Sequence, residues 1–228
     1  MIFSSAGNRA TTRCPLDKSD WTLSTLGTQA CASSPGHPQL EPMKPMPTAP
    51  HVRLILGGAR SGKSAFAEAM ALAHGRCVYV ATAQRSDEEM HRRIDKHRAR
   101  RDAQAATTAS AQWRTVEEPV ELAAVIHREA NPAQCVLVDC LTVWVGNLMH
   151  HDHNIDTARE ALLESLATAS GPVVLVANEV GLGIVPDNAL ARRFRDHAGL
   201  LNQAIAAVAA QVIFIAAGLP MVLKDTEK

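Results

Sequence analysis

Residues 52–64 read "VRLILGGARSGKS". A short apolar run ends at two glycines, and the eight residues Gly57, Gly58, Ala59, Arg60, Ser61, Gly62, Lys63 and Ser64 fit the pattern G-x-x-x-x-G-K-[S/T]. The pattern carries meaning only between a strand and a helix. Both are legible: residues 52–56 read as a strand, and 63–74 as a helix stopped by Gly75. Glycines let such a loop curl so that consecutive backbone N–H groups point inward at phosphate oxygens, and the new helix adds its positive end. Lys63 is therefore expected to reach the β and γ phosphates of a nucleoside triphosphate, and the Ser64 hydroxyl to coordinate magnesium.

A loop of this kind needs a second acid for the metal at the end of another strand. The run "CVLVD" ends in Asp139, which stands at the carboxyl edge of the strand read over 135–139. A cap for the helical segment starting near Thr142 is the other reading of Asp139, and the two roles are compatible. Further strands are read at 77–81, 173–177 and 212–216, with "WRTVEE" at 113–118 as a weaker sixth. Helical patterns cover 87–101, opened by Ser86 with Glu89 as a capping box, 119–130 with Pro119 in its first turn, 156–169 and 188–210. Strands alternating with helices predict an α/β fold, a single domain over 51–228 whose mostly parallel sheet carries helices on both faces.

Residues 1–50 lack hydrophobic periodicity and end in the proline-rich "HPQLEPMKPMPTAP". They read as a disordered extension, or as sequence upstream of a later start at Met43 or Met46. Twenty-three Lys and Arg balance twenty-three Asp and Glu, so no global positive field exists to hold nucleic acid or an anionic membrane. No apolar run reaches the roughly 18 to 20 residues of a membrane span. The five cysteines, Cys14, Cys31, Cys77, Cys135 and Cys140, show no framework spacing and read as buried free thiols. The cytoplasm is the expected compartment.

In "DEEMHRRIDKHRARR", Met90, Ile94, His97 and Arg101 fall at spacings of four, three and four and share one helix face. Neighbouring arginines disfavour the imidazolium, which leaves His97 a neutral ring able to attack an electrophile while the same arginines neutralise a phosphate brought against it. Spacing alone equally suits a solvated basic helix.

The segments "LGGARSGKSAFAEAMA", "VYVATAQRSDEEMHRRIDKHRARR", "WRTVEE", "VLVDCLTVWVGNL" and "VANEVGLGIVPDNALARRFRDHAGLLNQAIAAVAAQVIFIAAGLP" together resemble the bifunctional adenosylcobinamide kinase/adenosylcobinamide-phosphate guanylyltransferase family, in its order, over most of residues 52–220. The resemblance implies a RecA-like P-loop NTPase fold and two reactions of coenzyme B12 assembly. One passes a γ phosphate, from GTP or from ATP, to the hydroxyl of adenosylcobinamide. The other guanylylates a histidine, which His97 matches, and moves the GMP to adenosylcobinamide phosphate. It further implies nucleotide contacts from residues 57–64, Ala81, Thr82, Ala83, Arg98, Ala99, Arg100, Arg101, Glu117 and Asp139, with Ser64 and Asp139 on Mg2+ and Lys63 and His97 as the catalytic pair. A homo-oligomer, a trimer, is implied as well. Here Arg101 is followed by "DAQAATTASAQ" before Trp113, a longer connection than the family's, so the segment bearing His97 is expected to be longer.

Other features stand apart. "MHHDHN", Met149 to Asn154, offers metal-ligating types in a loop that reads as solvated. Asn178 and Glu179 follow a strand, where open α/β sheets place active-site groups, and Glu179 is either such a group or a cap or ion-pair partner. Arg192, Arg193 and Arg195 read as a helix surface or subunit contact, and Trp144 and Leu148 as core. Three other function classes share the loop: a small-molecule kinase without a guanylyl step, a nucleic-acid motor, and a nucleotide-sensing module. The balanced charge argues against the motor.

Overall fold

The computed structural model describes residues 49–84, 95, 99, 101, 103 and 112–226. The extension expected over 1–50 lies outside them except for its last two residues. The helix expected over 87–101 also lies largely outside, with Asp95, Ala99 and Arg101 described and helical, as is Ala103.

Seven strands, β1 (Ala49–Gly57), β2 (Arg76–Ala81), β3 (Gln112–Glu117), β4 (Cys135–Asp139), β5 (Val173–Asn178), β6 (Ala209–Ala216) and β7 (Leu219–Asp225), form one sheet in the order β3-β2-β4-β5-β1-β6-β7. Every neighbouring pair is parallel except β6 with β7. The helices are α1 (Lys63–Leu72), α2 (Leu122–Glu129), α3 (Leu141–His150), α4 (Ile155–Thr168) and α5 (Ala189–Val208).

Side chains alternate across a strand, so a stretch covered on both faces must be apolar on both, as residues 54–56 of β1, 135–138 of β4 and 173–177 of β5 are. On one face Leu54, Leu56, Val80, Val138 and Leu175 pack with Ile126, Trp144, Leu162 and Ile205 of α2 to α5. On the other, Ile55, Tyr79, Leu137 and Val176 pack with Ala67 and Ala71 of α1, whose small side chains let the helix lie close over β4 and β5. Each fully buried leucine or isoleucine contributes roughly 1.5–3 kcal/mol.

The boundaries depart from expectation where side chains or pairing intervene. The β1 strand begins at Ala49, inside the stretch read as extension, because Ala49 pairs with Ala209 and is buried. The α2 helix starts at Leu122 rather than at Pro119: the Glu118 carboxylate accepts the Val120 and Glu121 N–H groups and holds that stretch as a turn. Ala209 and Ala210, expected at the end of the last helix, belong to β6. The β7 strand has no counterpart in the sequence reading. It folds back through Ala217 and Gly218, both at positive φ (52° and 81°), as a two-residue hairpin of the primed type requires.

The strand order positions the site. The loop follows β1 and Asp139 ends β4, with β5 between them. The register brings Gly57 beside Asn178, and Ala81 beside both Asp139 and Glu117. The loop, Glu179, Asp139, Thr82 and Glu117 thus share the carboxyl edge of one sheet, the RecA-like P-loop arrangement.

Candidate nucleotide site

The cradle is shaped by glycine and braced from two sides. Gly62, the residue before α1, has φ 96°, a conformation that L side chains rarely adopt, and a Cβ on Gly57 would stand 2.5 Å from the Ile215 carbonyl oxygen. The Glu179 N–H donates to the Gly57 carbonyl (3.2 Å), and the Gly218 N–H to the Ser61 carbonyl (2.8 Å). The unforeseen hairpin therefore holds the loop tip. Asn154 and Asn188 cap α4 and α5 with their side chains, whereas α1, like α2 and α3, begins with no side-chain cap. Its first-turn N–H groups, which have no partner within the helix, face the loop's interior with the helix's positive end, the requirement for an anion. Lys63 is buried, its Nζ donating to the Gly58 carbonyl at 3.1 Å, and the buried Ser61 Oγ has no hydrogen-bond partner.

The opposing wall is the end of β4. Tyr79 donates its hydroxyl to Asp139 Oδ2 at 3.2 Å, which holds one edge of the carboxylate. Burial pushes the Cys140 thiol up to about 11; the Asp139 charge adds to this and the Lys63 charge opposes it, so the lysine and this strand end lie within electrostatic reach. Ser64, in the first turn of α1, and Asp139 supply hard oxygen donors suited to Mg2+, which takes few protein ligands and completes its shell with water and phosphate. Among the described residues no group of three or more His, Cys, Asp or Glu gathers as a metal cage, and this two-oxygen set fits a metal shared with a nucleotide.

Of the other residues singled out from the sequence, Ala81, Thr82 and Ala83 continue β2 past this edge. Thr82 is fully buried. Its hydroxyl joins both backbone groups of Cys140, and its carbonyl accepts from Asn147 Nδ2 (2.8 Å). Glu117 is exposed at the end of β3, level with Ala81 and Asp139. His97, Arg98 and Arg100 lie outside the described residues. Ala99 is exposed, and Arg101 is turned inward and buried: its guanidinium lies 3.6 Å from the centre of the Tyr79 ring and 3.9 Å from Glu68 Oε1. Sequence reasoning missed Tyr79 and Glu68. Glu68 offered a signal, a charge four residues after Ser64 amid the small residues that face the sheet.

Glu179 accepts from the Gly181 N–H (2.6 Å) and lines an open cleft of about 800 Å3 together with Leu56, Leu182, Asn202, Leu223 and Lys224. Arg192 donates to the Pro186 and Asp187 carbonyls, fixing the entry to α5, and Arg195 pairs with Asp196. Cys77, Cys135 and Cys140 are free and buried, as their positions in or beside apolar strand-like runs predicted; Cys14 and Cys31 lie outside the described residues. Trp144 is core, its indole N–H donating to the Val120 carbonyl.

Comparison with solved structures finds an ATPase domain (TM-score 0.45, 14% identity, 79% of this chain and 78% of that one) and the flagellar accessory protein FlaH from Methanocaldococcus jannaschii (TM-score 0.42, 13% identity, 79% and 80%). Among curated proteins the chain is 53% identical over 174 residues to the bifunctional adenosylcobalamin biosynthesis protein CobP of Pseudomonas aeruginosa, covering 75% of this chain and 96% of that protein. It is 38% identical over 186 residues to the bifunctional adenosylcobalamin biosynthesis protein CobU of Escherichia coli K12, covering 75% and 98%. The model of the family described as cobinamide kinase / cobinamide phosphate guanyltransferase matches residues 53–223, the span that holds the cradle, Asp139 and the bracing hairpin. With three-quarters of its length inside that match, the chain belongs to the cobinamide kinase / cobinamide phosphate guanyltransferase family.

Proposed function

We propose that the chain runs two consecutive reactions of adenosylcobalamin assembly on one nucleotide cradle. In the first, the γ phosphoryl of GTP, or of ATP, passes to the hydroxyl of the aminopropanol arm of adenosylcobinamide. In the second, a ring nitrogen of His97 attacks the α phosphorus of GTP. The N–P bond forms, the bond from α phosphorus to the bridging oxygen breaks, pyrophosphate leaves, and the ring's other N–H gives its proton to solvent. The phosphate oxygen of adenosylcobinamide phosphate then displaces the histidine to give adenosylcobinamide-GDP. The observation that carries this reading is the glycine-shaped start of α1, with Gly62 at φ 96°, on the same sheet edge as a strand-end acid one strand away, in a chain that belongs to this family.

In this reading residues 57–64 wrap the phosphates, and Lys63 leaves the Gly58 carbonyl for the β and γ oxygens. Ser64 and Asp139 would hold Mg2+, which supplies charge neutralisation between the phosphates. Ala81, Thr82, Ala83 and Glu117 line the nucleotide's far side, and Arg98, Ala99, Arg100 and Arg101 are the contacts carried by the histidine's own segment. Partners are small molecules rather than nucleic acid. No helix among the described residues is long and apolar enough to cross a membrane, and we place the protein in the cytoplasm. A homo-oligomer, a trimer, accounts for the apolar residues left exposed on β7 and over 182–185.

The test is incubation with GTP labelled on the α or the γ phosphate, scoring acid-labile, alkali-stable label on the protein and transfer to cobinamides. Wild type should take α label, His97→Ala none, with γ transfer retained; Lys63→Ala should lose both by about a hundredfold or more. A wild type that binds GTP without taking α label would reduce the protein to a kinase.

A further inference from the structure

The sequence leaves Glu179 three readings: an active-site group, a helix cap or an ion-pair partner. The structure removes the last two. The helix that follows, α5, is capped by Asn188, whose side chain accepts the Ala191 N–H. The two cations lining the same cleft are engaged elsewhere: Arg195 pairs with Asp196, and Lys224 Nζ donates to the Ala206 and Ala207 carbonyls. Among the described residues the half-buried Glu179 carboxylate forms no ion pair, and its one hydrogen bond is from the Gly181 N–H to Oε1 at 2.6 Å. A carboxylate offers about four acceptor positions, so this bond orients the group and leaves it able to take a proton. Its backbone is fixed against the cradle. The Glu179 N–H donates to the carbonyl of Gly57, the loop's first residue, at 3.2 Å. Asn178, the register partner of Gly57, donates its N–H to Thr142 Oγ1 (2.7 Å) and accepts at its carbonyl from the buried Asn202 (3.3 Å). A Cβ on Gly181 would stand 2.9 Å from Glu179 Oε1, so glycine there lets the turn close on the carboxylate. Three acids thus end or follow strands at the carboxyl edge: Glu117 after β3, Asp139 after β4 and Glu179 after β5. The nucleotide and its metal use the first two. The third stands beside the loop's entry and lines an open cleft of about 800 Å3, room enough for a bulky acceptor to approach.

We propose that Glu179 is the general base of the kinase step, taking the proton of the acceptor hydroxyl as that hydroxyl attacks the γ phosphorus. The hydroxyl oxygen bonds to the γ phosphorus, and the bond from that phosphorus to the β–γ bridging oxygen breaks. The nucleoside diphosphate leaves, and the proton passes to the Glu179 carboxylate and then to solvent. The inference rests on the reading that the chain phosphorylates adenosylcobinamide. The guanylyl step makes no such demand. There a ring nitrogen attacks with its lone pair, and the final acceptor is a phosphate oxygen that is already anionic. Loss of the carboxylate should therefore divide the two activities, whereas loss of a brace for the cradle would lower both.

The experiment compares wild type, Glu179→Gln, Glu179→Asp and Gly181→Ala in the full chain. It follows γ transfer from labelled GTP to adenosylcobinamide against the concentrations of GTP, acceptor and Mg2+, together with α labelling of the protein and thermal melts. Glu179→Gln keeps an oxygen for the Gly181 N–H, so the turn survives while the base is lost. Its maximal γ transfer should fall by about a hundredfold to ten-thousandfold, the usual contribution of a general base. Both KM values, the Mg2+ requirement and the α labelling rate should stay within about threefold of wild type. Glu179→Asp should recover part of the rate. Gly181→Ala pushes aside the flexible end of Glu179 rather than any backbone, so it should fold like wild type and lower γ transfer by about tenfold, the scale of a displaced reacting group. Should Glu179→Gln fail to fold, Gly181→Ala, which keeps the carboxylate, shows the same division of activities. A folded Glu179→Gln that transfers γ phosphate at the wild-type rate overturns the proposal. So does a tenfold rise in the Mg2+ requirement at unchanged maximal rate, which would make Glu179 a metal ligand, or an equal fall of γ transfer and α labelling, which would make it a brace. If wild type itself passes no γ label to adenosylcobinamide, the kinase reading fails and the proposal with it, whatever the variants do.

Discussion

The Thr82 hydroxyl donates to the Cys140 carbonyl at 2.8 Å and accepts from the N–H of the same residue at 2.9 Å. One side chain thereby stitches the ends of β2 and β4 together, immediately beyond Asp139. Thr82→Val keeps the shape but removes the oxygen, stranding a buried N–H and a buried carbonyl. Each stranded group costs about 1–3 kcal/mol. Thermal unfolding should drop by roughly 2–4 °C per kcal/mol lost. The Mg2+ concentration for half-maximal kinase rate should rise because Asp139 is no longer held, and Thr82→Ser should restore both. A Thr82→Val protein that melts and titrates with Mg2+ like wild type would show that the stitch is redundant.

Gly57 and Gly58 are adjacent and separable. A Cβ on Gly57 would stand 2.5 Å from the Ile215 carbonyl oxygen and 2.6 Å from Ser61 Oγ; one on Gly58 meets nothing within 4 Å. Ile215 is the register partner of Gly57 on β6, so its backbone cannot retreat without loosening the sheet beside the cradle. Gly57→Ala is expected to destabilise by about 1–3 kcal/mol, the usual cost of overpacking, and to raise the nucleotide KM. Gly58→Ala should stay within about 0.5 kcal/mol of wild type, and any loss it shows should appear only on nucleotide addition. Melts of both variants with and without GTP decide it; equal destabilisation would contradict the packing argument.

Tyr79 is the chain's one tyrosine, which lets its phenol be watched alone. Its pKa is raised well above 10.0 by burial, then by the Asp139 charge. The sign follows from linkage: a group whose folded pKa exceeds its unfolded value stabilises the fold fully below the unfolded pKa and loses that contribution as pH rises through the folded one. The native protein should therefore show no phenolate absorbance as pH passes 10, the unfolded chain should titrate there, and stability should decline from that pH upward. Tyr79→Phe should remove this part of the alkaline decline. Ordinary titration of the native phenol would mean that the ring is open to water and not bonded to Asp139.

The sequence made the cradle, Asp139 and six of the strands legible because each rests on local rules: glycines that permit a curl, apolar runs that fit a doubly covered sheet, an acid at a strand's end. What stayed hidden depends on which strands become neighbours. Tyr79 looked like one more apolar strand residue until β2 was placed beside β4, and Thr82 like an edge residue until Cys140 came opposite. The contact of Arg101 with Tyr79 and Glu68, residues far from it in sequence, gave no local signal either. The apolar run Met221–Leu223 after Gly218 was a strand signal that went unread, since Pro220 argues against a central strand but not against an edge.

That edge yields the last prediction. Leu219, Met221, Val222 and Leu223 of β7 are 71%, 57%, 52% and 56% exposed, and Ile184 on the loop before α5 is 98% exposed. An edge strand with an unpaired backbone and apolar side chains invites pairing or aggregation, and proteins that keep such edges in water usually charge or cover them. The chain does charge the end of the strand, at Lys224, but Lys224 Nζ is turned back to donate to the Ala206 and Ala207 carbonyls at the end of α5. The proposed trimer would remove this surface from water by covering it with copies of the same chain. Sedimentation equilibrium should give three times the chain mass for wild type and a lower mass for Met221→Lys/Ile184→Lys. Neither side chain belongs to the core, so the variant's far-ultraviolet circular dichroism should match wild type. A wild type that sediments as one chain would show that this edge is tolerated bare, and the bracing of Ser61 by Gly218 would then be the hairpin's whole role.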